Sequence, residues 1–421
     1  MRLLWFSHFV PYPPKGGAHQ RSYHLLRHAS KSYETTLVGF NLHGYTPGQL
    51  SECEGELRKY CSRVEFWQMP IEWKGARWRA RLILSPFERA PYGCTCFWSP
   101  ELDAKWKDTL QRHQGTLVHF DSIDLALFAG RAAGFRKVLN HHNCESAMAE
   151  RRAKKEPNPL KRIYLRSQAR KLALLEREVC PRFNVNLAVS EVDMQVLHRQ
   201  SPEAHFHVVE NGTDTGYFAP GMAEEEPDSL IFASSFYWYP NISALQLFVR
   251  EIWPLVKRQR SGVRLYVAGM KPSDSLVRWL KQDPDITVVA SPPDIRPWIA
   301  RAAVFVCPMV DGGGTKVKLL DAMAMGKAIV STSVGCEGLE VTHGDNILIA
   351  DTPEEFASTI SQALESRALR ERLGAAGRGL VERNYSWEVV GRHLEEAYEC
   401  ALSPGASVVP AETSVPVGSG R

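Results

Sequence analysis

The sequence predicts an α/β protein made of two doubly wound, Rossmann-like parallel-sheet domains. Three observations carry that reading. Apolar runs of strand length alternate with longer amphipathic stretches, as repeated βα units require. The alternation runs to about residue 200 and then restarts. Between the two series lies Glu210–Ser229, ENGTDTGYFAPGMAEEEPDS, which is rich in turn-forming residues. At 421 residues the chain also exceeds what one hydrophobic core normally spans.

In the first series Leu3–Ser7, Thr35–Phe40, Val64–Gln68, Thr116–Asp121, Lys137–Asn140 and Val185–Val189 read as strands. In the second, Leu230–Ala233, Arg264–Ala268, Thr287–Val289, Val304–Cys307, Ala328–Ser331 and Ile347–Ile349 do so. The domains are expected at residues 1–205 and 206–385, meeting close to Asn211. A final helix follows over 386–402, with Ser386 as its cap. Residues 403–421 carry Pro, Gly and Ser without periodicity and are expected to be disordered.

Lys+Arg exceed Asp+Glu by 51 − 47 = +4, too mild a balance for a dedicated nucleic-acid binder. No run approaches the roughly 18 to 20 apolar residues of a membrane span, and the N-terminus lacks the layout of a secretory signal. A cytosolic protein is expected. The nine cysteines include one Cys94-x-Cys96 pair and no CxxC, so free thiols are expected rather than a disulfide framework or a structural metal.

The most informative stretch is Val304–Leu339: a strand, the glycine loop DGGGT (Asp311–Thr315), a helix expected over Thr315–Met325, Gly326 as its stop, then another strand. Glycines between a strand and a helix N-terminus let backbone amides approach an anion, and the helix dipole favours negative charge there. GxxxxGK[ST] does not occur, nor does GxGxxG at the first strand. On the expected helix Gly314, Lys318, Asp321 and Met325 share one side, beside an apolar stripe of Val317, Leu320 and Ala324. Asp321 then either pairs with Lys318 or accepts hydrogen bonds from a diol. Lys316 and Lys318, two positions apart, do not face one ligand together from the helix body, although Lys316 in the first turn could reach back. The alternative is a tight GGG turn with a surface Asp321–Lys318 pair.

Two stretches are basic. Arg151–Val179 has ten Lys/Arg against three Glu, and Ile71–Leu84 interleaves tryptophan with arginine. Such composition suits either a solvated helix face or an interfacial helix drawn to anionic lipid.

The run GGGTKVKLLDAMAMGK (Gly312–Lys327) resembles that of retaining glycosyltransferases of the GT-B fold, family four type, in the subgroup with GGGT-(R/K)-x-K-x-L-(E/D)-A-M-A-x-G-K. Gly16-Gly17, HHNCES (His141–Ser146), VSEVD (Val189–Asp193), ENGTDTGYF (Glu210–Phe218), YPN (Tyr239–Asn241), DIRPW (Asp294–Trp298) and YSW (Tyr385–Trp387) follow the family in order and spacing. The resemblance covers about residues 1–400. It implies two domains facing across a cleft, a last helix crossing back to the first domain, and a nucleoside diphosphate sugar donor held by the second. The acceptor, a glycan or a lipid-linked glycan, would lie mainly on the first.

Residue by residue, the resemblance places Asp321 on the ribose hydroxyls, as the second acid of an E-x7-E motif. The first acid falls at Gly313, so the amides of Gly312, Gly313, Gly314 and Thr315, or Asp311, would take over the donor sugar. Many relatives carry an Arg and a Lys after the first strand of the second domain to clamp the diphosphate. Here that stretch, ASSFYWYPN, has neither, which leaves Lys316 or Lys318 to supply the charge.

Gly16 and Gly17 would close over donor phosphates or acceptor, or form a plain βα turn. His142 is the family position for touching donor sugar or acceptor, with His141 as its substitute. Glu145 would orient the ring or cap the next helix. The reaction implied is metal- and cofactor-independent, with same-face attack and retention of configuration. Two rivals share the fold: a nucleotide-sugar epimerase, and a non-catalytic subunit supporting a partner enzyme. Peripheral contact with an anionic membrane at its inner face is a further expectation.

Overall fold

The computed structural model describes residues 1–70 and 75–403. These form two compact units, Met1–Glu210 with the segment from Val390 onward, and Asn211–Val389. Residues 404–421 of the expected disordered tail, and the first four residues of the Ile71–Leu84 stretch, lie outside the described residues.

The first unit is a parallel sheet of β1 (Arg2–Ser7), β2 (Glu34–Phe40), β3 (Arg63–Trp67), β4 (Leu117–Phe120), β5 (Arg136–Asn140), β6 (Val185–Ala188) and β7 (Phe206–Val208). Its strand order is β3-β2-β1-β4-β5-β6-β7. The second unit has β8 (Glu226–Ser235), β9 (Arg264–Met270), β10 (Ile286–Ala290), β11 (Ala302–Cys307), β12 (Ala328–Ser331) and β13 (Leu348–Ile349), ordered β10-β9-β8-β11-β12-β13. Both are doubly wound α/β sheets. Each order reverses once, between β1 and β4 and between β8 and β11. Ligands of open α/β sheets bind beside the carboxyl ends of strands at such a reversal.

Every strand expected from the sequence is present, and the differences are at the ends. β8 runs four residues earlier than its apolar run because Glu226 pairs with Ala302 and Ser229 with Arg264; polar residues at a strand entry leave no hydrophobic signal. β7 was not anticipated: its three residues are all half-buried and too few to show alternation.

In the first unit Phe6 centres an aromatic core, stacked on Trp106 at 4.2 Å and edge-on to Trp67, Phe120 and Phe128. The neighbouring residue, Trp5, faces the opposite side of the sheet, as strand alternation requires, and stacks on His119 at 3.7 Å. The helix Trp387–Leu402 buries Val390, Leu394, Ala397, Tyr398 and Ala401, one face at helical spacing. Tyr398 Oη sits 2.9 Å from His119 Nδ1. The nine thiols are unpaired, eight of them buried. No helix among the described residues is long and apolar enough to cross a membrane.

Two glycines fix the helix that follows the glycine loop. This helix, Val317–Ala324, stops at Gly326, whose φ of 68° lies in the left-handed region that glycine adopts without strain. Gly374, inside the helix Arg367–Asn384, lies against that stop: a methyl group there would stand 2.0 Å from the Gly326 carbonyl oxygen. Gly374→Ala is therefore expected to destabilise the second unit by about 1–3 kcal/mol through overpacking. Urea unfolding would show a lowered midpoint at an unchanged slope, and an unshifted midpoint would mean that the helices separate without cost.

Candidate functional site

In the second unit the carboxyl ends of β8 and β11 carry the segments that matter. The chain leaves β11 through Pro308 and enters the glycine loop, where Gly312 (φ 116°) and Gly314 (φ 61°) take backbone angles that side chains disfavour. The Asp311 carboxylate accepts the Gly312 N–H at 2.8 Å and the Tyr239 hydroxyl at 3.4 Å. Lys316 folds back, and its Nζ donates to the carbonyls of Gly313 at 3.2 Å and Gly314 at 2.6 Å. Thr315 Oγ1 accepts from Asn211 Nδ2 at 2.7 Å. The loop is thus braced from inside by a lysine and from outside by the Asn211 segment.

The helix starts at Val317 rather than Thr315, because Lys316 at ψ 91° is still extended and serves as its N-cap. The Asp321–Lys318 pair is not formed. Lys318 instead donates to Asn241 Oδ1 at 2.8 Å and Ser234 Oγ at 3.2 Å, with Met309 Sδ 3.3 Å away. Burial pulls its ammonium below the ordinary lysine range, with the Cys307 thiol opposing. Asp321, buried, accepts from Thr213 Oγ1 at 2.6 Å. Asn211, Thr213, Ser234, Tyr239 and Asn241 are the residues that the sequence reading missed. The stretches containing them (ENGTDTGYF and ASSFYWYPN) had been noted, but nothing in a linear sequence said that Thr213 reaches Asp321 or that Ser234 reaches Lys318.

In the first unit the corresponding place is held by Asp121, just past β4 and fully buried. Its Oδ1 accepts Asn140 Nδ2 at 2.7 Å, and its Oδ2 accepts Ser22 Oγ at 2.6 Å and Ser7 Oγ at 3.1 Å. Burial pushes this carboxyl up, but hydrogen bonding and charge from His119 and His142 outweigh it and hold the group well below the usual carboxylate range. Buried Arg21 donates to Asn140 Oδ1 at 2.7 Å and to the Val209 and Glu210 carbonyls at 2.8 and 2.7 Å.

His142 Nε2 lies 2.8 Å from the Asp121 carbonyl oxygen and 3.5 Å from its Oδ1. The His142 ring is 5.3 Å from that of His8, Phe9 stacks on His19 at 4.2 Å, and the Nε2 atoms of His19 and His43 are 3.1 Å apart. Asp121, Arg21, His8, His19 and His43 were not singled out from the sequence, because they come from separate strand ends and only the sheet order gathers them.

Two first-unit expectations need correction. His141 is not a substitute for His142: it is buried with Nε2 3.4 Å from Asn186 Oδ1, since neighbouring strand-end residues point to opposite sides. Glu145 neither orients the His142 ring nor caps a helix. Its carboxylate accepts Asn143 Nδ2 at 3.1 Å, the N-cap is Cys144, and burial with nearby Asp124 raises the acid to about 8. Gly16 (φ 102°) is the N-cap of the helix Gly17–Ala29.

His8, Asp121 and His142 each bring one ligand atom within 4.8 Å of the others. Asp121 Oδ1 takes Asn140 and Oδ2 takes Ser7 and Ser22, and His142 Nε2 is turned to the Asp121 carbonyl oxygen at 2.8 Å. The arrangement is better suited to holding His142 in one orientation at the carboxyl edge of the sheet.

Burial drives His8 from 6.5 down to about 3 and His141 from 6.5 to about 4. Unfolded, both would titrate near 6.5, so below that pH the unfolded chain binds protons that the folded chain refuses. Their contribution to stability is full above about pH 6.5 and is lost as pH falls toward 4 and then 3. Thermal midpoints between pH 7 and 4 should fall accordingly, with a shallower fall in His141→Gln. An equal slope in that variant would remove His141 from the account.

Residues 227–366 match the family described as glycosyl transferases group 1. The phosphatidyl-myo-inositol mannosyltransferase of Mycobacterium tuberculosis is 31% identical over 171 residues, 37% of this chain and 43% of that protein. An uncharacterized 44.6 kDa protein in the cps region of Klebsiella pneumoniae is 25% identical over 165 residues, 37% of this chain and 42% of that protein. The chain thus spans less than half the length of these curated relatives. The structure of Anabaena HepE in complex with UDP superposes with a TM-score of 0.66 at 13% identity, over 95% of this chain and 100% of that one. The chain therefore shares the two-sheet α/β fold of that protein, and the stretch that matches the glycosyl transferases group 1 family lies within its second unit.

Proposed function

We propose that the protein is a GT-B glycosyltransferase that moves a sugar from a nucleoside diphosphate sugar to a glycan or lipid-linked acceptor of a cell-surface polysaccharide or glycoconjugate. The observation that carries this reading is the glycine loop at the strand-order reversal of the second sheet, with Lys316 and Lys318 beside it and buried Asp321 behind it. Asp321 would take the ribose hydroxyls in place of its Thr213 hydrogen bond. Asp311 and the amides of Gly312, Gly313, Gly314 and Thr315 would take the donor sugar and phosphates.

Transfer breaks the bond from the sugar's anomeric carbon to the phosphate oxygen and forms the bond to the acceptor oxygen. The acceptor's proton ends on the departing diphosphate. The chemistry asks chiefly for charge stabilisation on that diphosphate, which loop amides and lysine ammonium groups supply without a metal or cofactor. Attack on the face that the diphosphate leaves would retain configuration. His142 is assigned to the reacting sugars, held in orientation by Asp121. Gly16 and Gly17 are assigned to the ligand as a backbone cradle.

Gly313, where the family pattern has an acid, favours a second reading: a non-catalytic subunit that binds nucleotide weakly or not at all. A thermal-shift screen against UDP, GDP, ADP, dTDP and their sugars separates the two. One nucleotide family is expected to raise the midpoint by mass action, with Asp321→Ala weakening its affinity at least tenfold, as lost hydrogen bonds to a charged group do. Lys316→Ala with Lys318→Ala should weaken it further. No shift with any nucleotide would favour the non-catalytic reading.

His142→Ala should leave nucleotide affinity unchanged and lower turnover by about a hundredfold or more, the usual loss when a group acting at the reacting centre is removed. Unchanged turnover would withdraw His142 from the reaction.

A further inference from the structure

We propose that the surface formed by Ile83, Leu84, Phe87 and the outer face of the helix Pro159–Val179 docks on an anionic lipid bilayer. The inference rests on the reading above, in which the acceptor can be lipid-linked, and names the surface that would bring the chain to it.

Among the described residues, Met1 aside, the six most exposed large hydrophobic side chains are Phe87 (87%), Leu160 (78%), Ile83, Ile163, Leu174 and Leu84. Single exposed apolar residues are ordinary, but a cluster of them marks an interaction surface. These six belong to adjoining segments. The helix Gly75–Leu84 runs directly into the 3-10 turn Ser85–Phe87. That turn is fastened to the helix Pro159–Val179: Ser85 Oγ lies 3.1 Å from Tyr164 Oη, and Lys171 Nζ donates to the carbonyls of Ser85 and Pro86 at 2.5 and 3.1 Å. Phe87 is thus held outward by a braced turn.

On the long helix Leu160, Ile163, Arg166, Arg170, Leu174 and Arg177 are all exposed and recur at spacings of three or four, which puts them on one face. Leu165, Ala169, Leu175 and Val179 are buried on the other side. The three acids of Arg151–Val179 leave that face uncontested. Glu176 is buried, Glu156 pairs with Lys161 at 2.7 Å, and Glu178 lies 3.6 Å from Arg89. The outer face is therefore apolar and cationic at once.

Charge selects the occupant. A second copy meeting this face about a twofold axis would bring the arginine stripe onto itself, a like-charge contact. An anionic bilayer accepts both components: apolar tips enter the acyl boundary, and arginines extend to the phosphates.

Co-sedimentation of the full chain with vesicles tests this. Phosphatidylcholine mixed with phosphatidylglycerol should bind the protein, and phosphatidylcholine alone should not. Neutralising Arg166 and Arg170 to Ala should cost about fivefold in partitioning per residue, and Phe87→Ser with Ile163→Ser should release the protein to the supernatant. Exposed positions leave the unfolding midpoint in place, so loss of binding at an unchanged midpoint supports docking. Equal binding to both vesicles, no binding to either, or a dimer that Phe87→Ser dissociates on a sizing column would overturn it. The nucleotide screen keeps the two readings apart: a nucleotide shift without vesicle binding overturns docking alone, and vesicle binding without a nucleotide shift overturns the transferase reading alone.

Discussion

The first unit is organised around one buried negative charge. A carboxylate taken fully out of water costs several kcal/mol unless its oxygens are matched by donors. Asp121 meets that requirement by drawing Ser7 from the end of β1, Ser22 from the helix after the Gly16-Gly17 turn, and Asn140 from the end of β5. Arg21 then shares Asn140 and reaches the Val209 and Glu210 carbonyls, and His119, its Nε2 3.8 Å from Asp121 Oδ1, meets Tyr398 of the last helix through Nδ1. The turn containing Gly16, the strand end containing His142 and the final helix are therefore referred to one atom group. Removing any one donor leaves a lone pair of a buried anion unanswered.

The second unit meets the same geometrical problem with the opposite sign. At its strand-order reversal stands the Lys318 ammonium, bonded to Ser234 from β8 and Asn241 from the following helix, beside Met309 past β11. A buried cation lowers the cost of bringing an anion to that place, and loop amides point anions the same way. A buried carboxylate does the reverse, repelling phosphate from its end of the sheet. The two sheets thus place opposite charges beside their strand-order reversals.

Most of the fold was legible in the sequence because parallel sheets buried on both faces write themselves as continuous apolar runs, and twelve of the thirteen strands have such runs. What the runs did not carry were polar strand entries, as at Glu226–Ser229, and the three-residue β7. The site was legible where it is contiguous, in the glycine loop through Asp321. It was not legible where side chains from distant strands converge, as Ser7, Ser22, Asp121 and Asn140 do, nor where alternation decides between neighbours, as it does for His141 and His142. The helix start was misjudged by two residues because Lys316, a good helix former, spends its side chain on the Gly313 and Gly314 carbonyls and so keeps its backbone out of the helix.

The missing cationic clamp in ASSFYWYPN shows what a motif does and does not require. A departing diphosphate needs positive charge at a point in space, and the position in the chain that supplies it is incidental. Ser234 and Asn241, both within that stretch, accept hydrogen bonds from an ammonium arriving from the next element over. Lys318 therefore brings charge to the segment that lacks its own. The same logic applies to Gly313. Losing an acid there removes a hydrogen-bond acceptor for sugar hydroxyls, yet the adjacent Asp311, buried and aimed by Gly312 and Tyr239, offers a carboxylate two residues away on the same loop. Under the transferase reading each departure from the pattern thus has a charged group close by: Lys318 bonded within the ASSFYWYPN stretch, and Asp311 two residues before Gly313.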